Sequence, residues 1–525
     1  MSSTAVISSD PSNTLMEHTR TFPHQTSDPD RPLRLFSTVP DTLDPYKTKN
    51  SYVKMYIPLR YESLFAFDER QQPVSQLAGQ YELSRDGVIL KITLKENVHF
   101  HNGKLLVAED VVYSYRQYAA GRKDLTHIRN VMALDARTVE FSLTNRDAFI
   151  CEKLVFPVIP SDSVASGENP PPGTGPYRLA SVSADKLVLL VFEGWHNLEE
   201  NRKIGIQKIE ILLRTSATLE IKDLIEGKVD AAVLSGADST RFIGSEDFRM
   251  VSYPAGEFVF LTFNTKKGIM KERDIRSAFQ LYVDKYDMIN RIMPFTASPS
   301  DLPLRPDTWL NDTNTLSPGP DAEKADRLLT GSGYGKDAEG YYTRYGARLS
   351  VELLVNAENQ QRQDAARYLS AELKIRGIEL IVRSMAYSDI MPRVLAGDYD
   401  LALLGITIGN AADLFSLYHS GNIPGITATA SVMGSSGYFA CFNVAGYSNP
   451  ESDRLTEEIM TLKSSEERVQ KIWQLRRILD QDVPYIGLYI SEQTLVYNRA
   501  LTGVEESKPR DYRIFTEITG WKFAP

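Results

Sequence analysis

Cysteine is scarce in this sequence. The 525 residues include two cysteines, Cys151 and Cys441, which are too few for a zinc site of the CxxC…CxxC kind. Spacing alone does not establish a disulfide between residues so far apart in the chain. We expect two free and buried thiols, because a free cysteine packs like a small apolar side chain.

Long hydrophobic runs are also missing. Apolar stretches such as Leu187 to Phe192 and Leu401 to Ile406 are far shorter than the roughly 20 residues that a membrane-spanning helix needs. Residues 1–31 are rich in Ser, Thr, Asp, Pro and His and lack the basic start and apolar core of a secretory signal. We expect residues 1–31 to form a disordered leader.

Positive charge is not in excess. The chain has 59 Lys and Arg against 68 Asp and Glu, a formal net charge of −9. Nucleic acids and anionic membranes gain little from a partner of their own sign. We therefore expect no nucleic-acid partner.

Familiar catalytic and metal-binding motifs do not occur. The sequence contains no phosphate-binding loop, no Gly-x-Ser-x-Gly elbow and no His-Glu-x-x-His zinc helix. His99 and His101 would share one face of a strand, but no third ligand follows at a known spacing, so we interpret both as structural. We predict that the protein is not an enzyme and has no catalytic residue, no metal site and no cofactor.

Hydrophobic periodicity indicates an α/β fold with more than one lobe. Ser350 to Val355 has strand composition, and Ala365, Leu369 and Leu373 then define one face of a helix that ends at Gly377. Two further strands, 378–382 and 400–406, follow. Alternation of this kind is typical of parallel β-α-β units.

Local signals predict other elements and boundaries. Val88 to Leu94 has strand composition, and Ala108 begins a predicted helix. We predict one continuous helix over Ile275 to Tyr286. Ser464 with Glu467 forms a capping-box pattern at a helix start. The proline- and glycine-rich stretch 170–176 is a candidate crossing between domains.

Several motifs together resemble a known family. Phe100–Lys104 followed by Ala108–Ser114 is similar to the "F-H-D-G … A-E-D-V-x-x-S" signature of the family 5 extracytoplasmic solute-binding proteins. These are the peptide-, dipeptide- and nickel-binding components of ABC importers. Further motifs of the family follow in the expected order: Leu43–Pro45, Gly173–Tyr177, Phe263–Thr265, Asp274–Ala278, Tyr399–Asp400 and Tyr447–Pro450.

The resemblance implies a two-lobed periplasmic-binding-protein fold of the class II, cluster C type, with an extra inserted subdomain. Residues 32–45, 173–262 and 495–525 would form a discontinuous first lobe, 46–172 the inserted subdomain, and 263–494 the second lobe. A solute would be trapped between the lobes by hinge closure.

The resemblance also implies candidate ligand-binding residues. Peptide-binding members carry a segment similar to "W-x-x-D-x-x-D-P", whose carboxylate meets the peptide's amino terminus. The matching stretch here is 407–414, where Asn410 stands at the carboxylate position and Asp413 remains acidic. Tyr489 matches a tyrosine of the family's late "P-x-x-P-L-Y" segment. We predict ligand contacts for Asn410, Asp413 and Tyr489.

The resemblance implies a monomeric solute receptor that acts with ABC permease subunits. The expected ligand is a peptide or a similar small polar solute. Because Asn410 carries no charge, a standard free-amino peptide would lose its expected anchor, which leaves a modified peptide, a sugar or another polar solute as alternatives. The implied location is extracytoplasmic, in the periplasm or at the cell surface, although residues 1–31 do not match a signal. The alternative is a cytoplasmic ligand sensor that uses the same fold, as in some transcription regulators.

Overall fold

A computed structural model describes residues 30–122, 125–163, 170–198, 204–294, 296–306, 308–310, 319–408, 414–425, 442–462, 464–507 and 514–524. The predicted ligand residues Asn410 and Asp413, the thiol of Cys441 and residues 1–29 of the expected leader lie outside these ranges. Within them, no helix is both long and apolar enough to cross a membrane. Cys151 is a free, half-buried thiol.

The strands of the described residues are β1 (Leu33–Thr38), β2 (Phe65–Phe67), β3 (Pro73–Ser75), β4 (Ala78–Leu83), β5 (Ile89–Leu94), β6 (Ile128–Ala133), β7 (Thr138–Leu143), β8 (Tyr177–Val182), β9 (Lys186–Val191), β10 (Lys208–Arg214), β11 (Ala231–Ser235), β12 (Phe248–Phe263), β13 (Ala297–Pro299), β14 (Gly335–Lys336), β15 (Tyr342–Arg344), β16 (Ala347–Arg348), β17 (Ser350–Asn356), β18 (Glu379–Met385), β19 (Leu401–Thr407), β20 (Tyr485–Asn498), β21 (Leu501–Thr502) and β22 (Lys522–Phe523).

The helices of the same residues are α1 (Ser51–Arg60), α2 (Ala108–Ala119), α3 (Ile150–Lys153), α4 (Glu220–Ile225), α5 (Gly236–Ser239), α6 (Arg273–Tyr282), α7 (Lys285–Ile292), α8 (Ala322–Gly331), α9 (Gln360–Arg376), α10 (Tyr387–Leu395), α11 (Phe415–Tyr418), α12 (Pro450–Thr461), α13 (Ser465–Asp482) and α14 (Val504–Ser507).

One large sheet organises the chain. Its strand order is β18-β17-β19-β12-β20-β11-β1-β10-β9-β8, with β13 paired to β20. β17 is parallel to β18 and β19, and β1 is parallel to β10 and β11. The α/β class and the parallel β-α-β units around β17, α9 and β18 are thereby confirmed. We call the part built on β8–β11 and β1 lobe I, and the part built on β17–β19 lobe II.

Two long strands pass through both lobes. β12 has 16 residues and β20 has 14. The first half of β12 pairs with the end of β20 beside lobe I, and its second half pairs with β19 in lobe II. The pairing shifts register between Pro254 and Phe258. This irregular segment lies where the chain passes from one lobe to the other.

Separate hydrophobic clusters stabilise the parts. Lobe I packs around residues such as Leu35, Ile211 and Trp521. Lobe II has one cluster on each face of its sheet, around Leu353 on one side and Leu404 on the other. A further cluster covers the four-stranded sheet β4-β5-β7-β6 and α2, and we call this unit the subdomain. The exact residue boundaries of the lobes stay a prediction.

Two glycines of the Gly173–Tyr177 motif pack tightly against the end of α1. A Cβ added to Gly173 would lie 1.8 Å from the carbonyl oxygen of Arg60, and one added to Gly175 would lie 2.7 Å from the carbonyl carbon of Arg60. Only glycine, which has no side chain, allows the two backbone segments to approach so closely. The motif therefore fixes the chain on α1 just before β8 begins at Tyr177.

The single helix predicted over Ile275 to Tyr286 is wrong. The structure has two helices, α6 and α7, separated at Val283 and Asp284. The Asp284 side chain accepts a hydrogen bond of 2.9 Å from the backbone N–H of Asp287, so it caps the second helix. Asp284, which the sequence pattern places inside one long helix, is therefore the N-cap of α7.

Other local predictions are confirmed. The Ser464 hydroxyl accepts from the Glu467 N–H and starts α13. Gly377 follows α9 with a φ of 90°, a left-handed conformation that glycine adopts without strain. The predicted strands at 88–94 and 400–406 correspond to β5 and β19.

Candidate functional site

The parallel strands of each lobe end at one edge of the sheet. In lobe II that edge carries Asn356, Met385 and Thr407, the last residues of β17, β18 and β19. In lobe I it carries Thr38 and Ser235. Ligands of open α/β sheets bind outside the carboxyl ends of such strands.

Thr296 joins the two lobes near these edges. Gly236, just beyond β11, lies so close that an added Cβ would be 2.0 Å from Cγ2 of Thr296. The Gln361 amide of α9 donates a hydrogen bond of 3.2 Å to the Thr296 hydroxyl. The backbone N–H of Glu492 donates to the Thr296 carbonyl at 2.8 Å. Thr296 and its polar contacts therefore lie where β12 and β20 pass between the lobes.

An ion pair occupies the lobe II side of this junction. Glu257 of β12 stands opposite Thr407 in the pairing with β19, and its carboxylate Oε1 accepts from the guanidinium Nη2 of Arg362. The Arg362 side chain is 5% exposed and that of Glu257 is 35% exposed. A buried cation thus holds a carboxylate that is open to solvent on its other side.

α9 places the buried cation. The Asn359 side chain accepts a hydrogen bond of 3.0 Å from the Arg362 backbone N–H and caps the helix. Arg362 therefore lies in the first turn of α9, where its side chain can reach the sheet edge.

Gly405 provides the room for the pair. A Cβ at this position of β19 would lie 2.2 Å from Arg362 Nη2 and 2.9 Å from Glu257 Oε1. Glycine inside a strand often marks a close approach by another group. Glu257 and Arg362 were missed by sequence reasoning, and the glycine in the apolar run 401–406 is the signal that could have indicated them.

The structure brings the predicted residue Tyr489 to this pair. Tyr489 is fully buried and faces Val259 across the β12–β20 pairing. Burial raises the pKa of its hydroxyl; among the charged groups, Arg362 lowers this pKa most and Glu257 raises it. Among the described residues, neither Tyr489 Oη nor Arg362 Nε has a hydrogen-bond partner. A direct contact of Tyr489 with ligand stays a prediction.

The two histidines of the sequence analysis have structural surroundings. His101 Nε2 lies 2.9 Å from the carbonyl oxygen of Gly175, and burial lowers the pKa of its ring to about 4. His99 Nδ1 lies 3.0 Å from the carbonyl oxygen of Asn97. Over the part of the chain that the structure describes, no group of three or more His, Cys, Asp or Glu side chains could hold a metal ion.

Comparison with known proteins identifies the fold and the family. The family model described as bacterial extracellular solute-binding proteins, family 5 Middle, matches residues 72–425, more than half of the chain. Among curated proteins, the oligopeptide-binding protein AppA of Bacillus subtilis (strain 168) is 21% identical over 477 residues, which are 86% of this chain and 84% of that protein.

Solved structures share the architecture. The murein tripeptide binding protein MppA in its unliganded open form gives a TM-score of 0.76 at 19% identity, covering 94% of this chain and 98% of that one. NikZ of Campylobacter jejuni in complex with Ni(L-His) gives 0.66 at 21% identity, covering 94% and 100%. The predicted two-lobed periplasmic-binding-protein fold is confirmed.

The predicted role as a solute-binding receptor is confirmed at the level of the family, whose members act outside the cytoplasm and bind solutes instead of transforming them. The alternative of an intracellular sensor finds no support among the similar proteins. This chain belongs to the bacterial extracellular solute-binding proteins of family 5.

Proposed function

We propose that this protein captures a peptide or a similar small polar solute between its two lobes and delivers it to the permease subunits of an ABC importer. The observation that carries the proposal is the pair of long strands, β12 and β20, which connect lobes with separate cores. Because only a few segments of this kind connect them, the rigid lobes can close on a solute.

Peptides are the first ligand class to test. The curated relative AppA is named as an oligopeptide-binding protein, and MppA is named as a murein tripeptide binding protein. The NikZ complex holds Ni(L-His), so a metal chelate belongs in the same test. Asn410, Asp413 and Tyr489 remain the predicted ligand residues.

The proposed place of action is the periplasm or the cell surface, and the proposed state is a monomer. Cell fractionation tests the first statement, and recovery of the protein only with the cytosolic fraction contradicts it. Light scattering tests the second, and a stable dimer contradicts it.

Thermal melting tests the proposed function. The purified protein is melted with and without di- to pentapeptides, sugars, Ni²⁺ and Ni²⁺–histidine. A solute that binds only the folded state at 100 times its Kd adds about 2.7 kcal/mol of stability. Small-angle scattering with the same solute is expected to show a smaller radius of gyration. If no solute stabilises or compacts the protein, the receptor function proposed for it is wrong.

Alanine substitutions test the predicted contacts. Asn410→Ala and Asp413→Ala are each expected to raise the Kd of the stabilising solute without changing the melting temperature of the unliganded protein. Unchanged Kd values for both variants would remove these residues from the site.

A further inference from the structure

Glu257 and Arg362 form an ion pair whose burial is uneven. Arg362 is 5% exposed, whereas Glu257 is 35% exposed. Removing a guanidinium from water is costly, and a buried pair often contributes little net stability. The pair also requires a glycine at position 405, inside β19. A contribution to folding stability alone therefore does not explain why the chain contains this ion pair.

The pair orients one carboxylate toward solvent. Arg362 Nη2 donates to Oε1 of Glu257, which leaves Oε2 of the half-exposed side chain as an acceptor. Glu257 stands directly opposite Thr407, an exposed residue at the carboxyl end of β19. Proteins with open α/β sheets bind their ligands at this end of the strands.

A second observation concerns the same place. Of the described side chains around the pair, Tyr489 Oη and Arg362 Nε are buried polar atoms with no hydrogen-bond partner. Tyr489 is fully buried and Arg362 is more than nine-tenths buried. Most buried polar groups are hydrogen-bonded, so two unpaired atoms beside one ion pair require an explanation, and a partner supplied by a bound solute or water is one.

The charges determine the class of solute group that fits. A solute carboxylate would have to displace Glu257 to reach Arg362. A solute cation can meet the open side of Glu257 while the pair stays intact, because an ionised carboxylate has two oxygens and can accept from a second donor. Gln361 and Thr296 lie at the same junction and offer neutral polar atoms.

We propose that Glu257, held by Arg362, binds a positively charged amino group of the solute at the junction of the two lobes. This inference rests on the proposed receptor function and narrows its ligands to solutes with an ammonium or related cationic group. Glu257 is the ligand contact, and Arg362 is a positioning residue.

Matched peptides test the proposal. Calorimetric titration of the full chain uses trialanine, trialanine amide and N-acetyl-trialanine. Trialanine and its amide are expected to bind with similar Kd. N-acetylation removes the cation and is expected to raise Kd roughly 10- to 100-fold, the range for one hydrogen bond to a charged group.

Variants of Glu257 test whether this side chain causes the preference for a free amino group. Glu257→Gln keeps an acceptor for Arg362 but loses the charge, and it is expected to bind trialanine as weakly as the wild type binds N-acetyl-trialanine. Glu257→Asp keeps the charge and is expected to restore part of the affinity. Glu358→Gln removes an exposed acidic charge just before α9 and serves as the matched control, with Kd expected to change less than twofold.

The outcomes separate this proposal from the receptor function. If trialanine binds to Glu257→Gln with unchanged Kd, or if amidation weakens binding instead of acetylation, the amino-group contact is wrong. If the wild type is stabilised by a neutral sugar and by none of the cationic probes, the receptor function stands and the contact at Glu257 falls. If it is stabilised by no solute of the whole library, both proposals fail.

Discussion

The guanidinium carbon of Arg468 in α13 lies 4.7 Å from the ring centroid of Phe149, which precedes α3. Arg468 also lies 4.8 Å from the ring of Trp309. Phe149 is 1% exposed and belongs to a core cluster of lobe II. Next to it, the Ala148 N–H donates to the Met460 carbonyl at 3.0 Å. One aromatic side chain therefore anchors the subdomain in lobe II.

Replacing Phe149 tests this anchor. Phe149→Ala is expected to lower the free energy of unfolding by about 3–5 kcal/mol, because a buried aromatic ring leaves a cavity. Phe149→Leu keeps most of the apolar volume and is expected to cost less than about 1.5 kcal/mol. Urea denaturation followed by fluorescence measures both. Equal stability of Phe149→Ala and the wild type would mean that the anchor contributes nothing.

Glu152, near the same anchor, makes stability depend on pH. Burial raises the pKa of its carboxyl from 4.5 to about 8, although Arg468 and Lys153 act in the opposite direction and Asp147 acts in the same one. Between these two pH values the folded protein binds more protons at this site than the unfolded chain does. The stability contributed by the protonated form is therefore fully present below about pH 4.5, falls as pH rises above that value, and is lost once pH passes about 8.

Glu152→Gln isolates this effect because glutamine stays neutral. The wild type is expected to lose stability relative to the variant by up to about 1.4 kcal/mol per pH unit between pH 5 and pH 8. Urea denaturation at several pH values measures the difference. Taking the difference removes the contribution of Glu220, whose pKa burial raises to about 7 in both proteins. A difference that is constant with pH contradicts the prediction.

Gly173 is predicted to tolerate no side chain. Gly173→Ala would place Cβ 1.8 Å from the backbone oxygen of Arg60, so the backbone has to move, at a cost of about 3 kcal/mol or more. Gly331→Ala is the control. Gly331 ends α8 in open space, and alanine there is expected to stabilise the protein by about 0.4–1 kcal/mol. Melting temperatures that fall equally in both variants would contradict the packing argument.

Much of the fold was predictable because it depends on local patterns. Periodicity and caps predicted β17, α9 and α13, and the ordered motifs implied the two-lobed architecture. The break between α6 and α7 was missed because Asp284 fits the polar face of one long helix as well as it caps a second one.

Much less of the site was predictable. Glu257 and Arg362 are 105 positions apart, and no spacing rule relates a residue of β12 to the first turn of α9. Tyr489 was named from a motif, but only the structure brings it to this pair. The site depends on which strand lies beside which, and local periodicity does not determine that order.

A substitution at Gly405 tests separately whether the ion pair positions a solute contact and whether it stabilises lobe II. A Cβ there would meet Arg362 Nη2 at 2.2 Å and Glu257 Oε1 at 2.9 Å, and both are ends of side chains that can rotate away. Gly405→Ala is therefore expected to displace Arg362 from Glu257 at a stability cost of about 1–2 kcal/mol, and to raise the Kd of trialanine about tenfold. Gly335→Ala, in open space at β14, controls for the added methyl group. Calorimetric titration and urea denaturation of both variants give the two quantities independently. A Gly405→Ala protein that is less stable but binds trialanine as the wild type does would show that the pair supports the strand and not the solute.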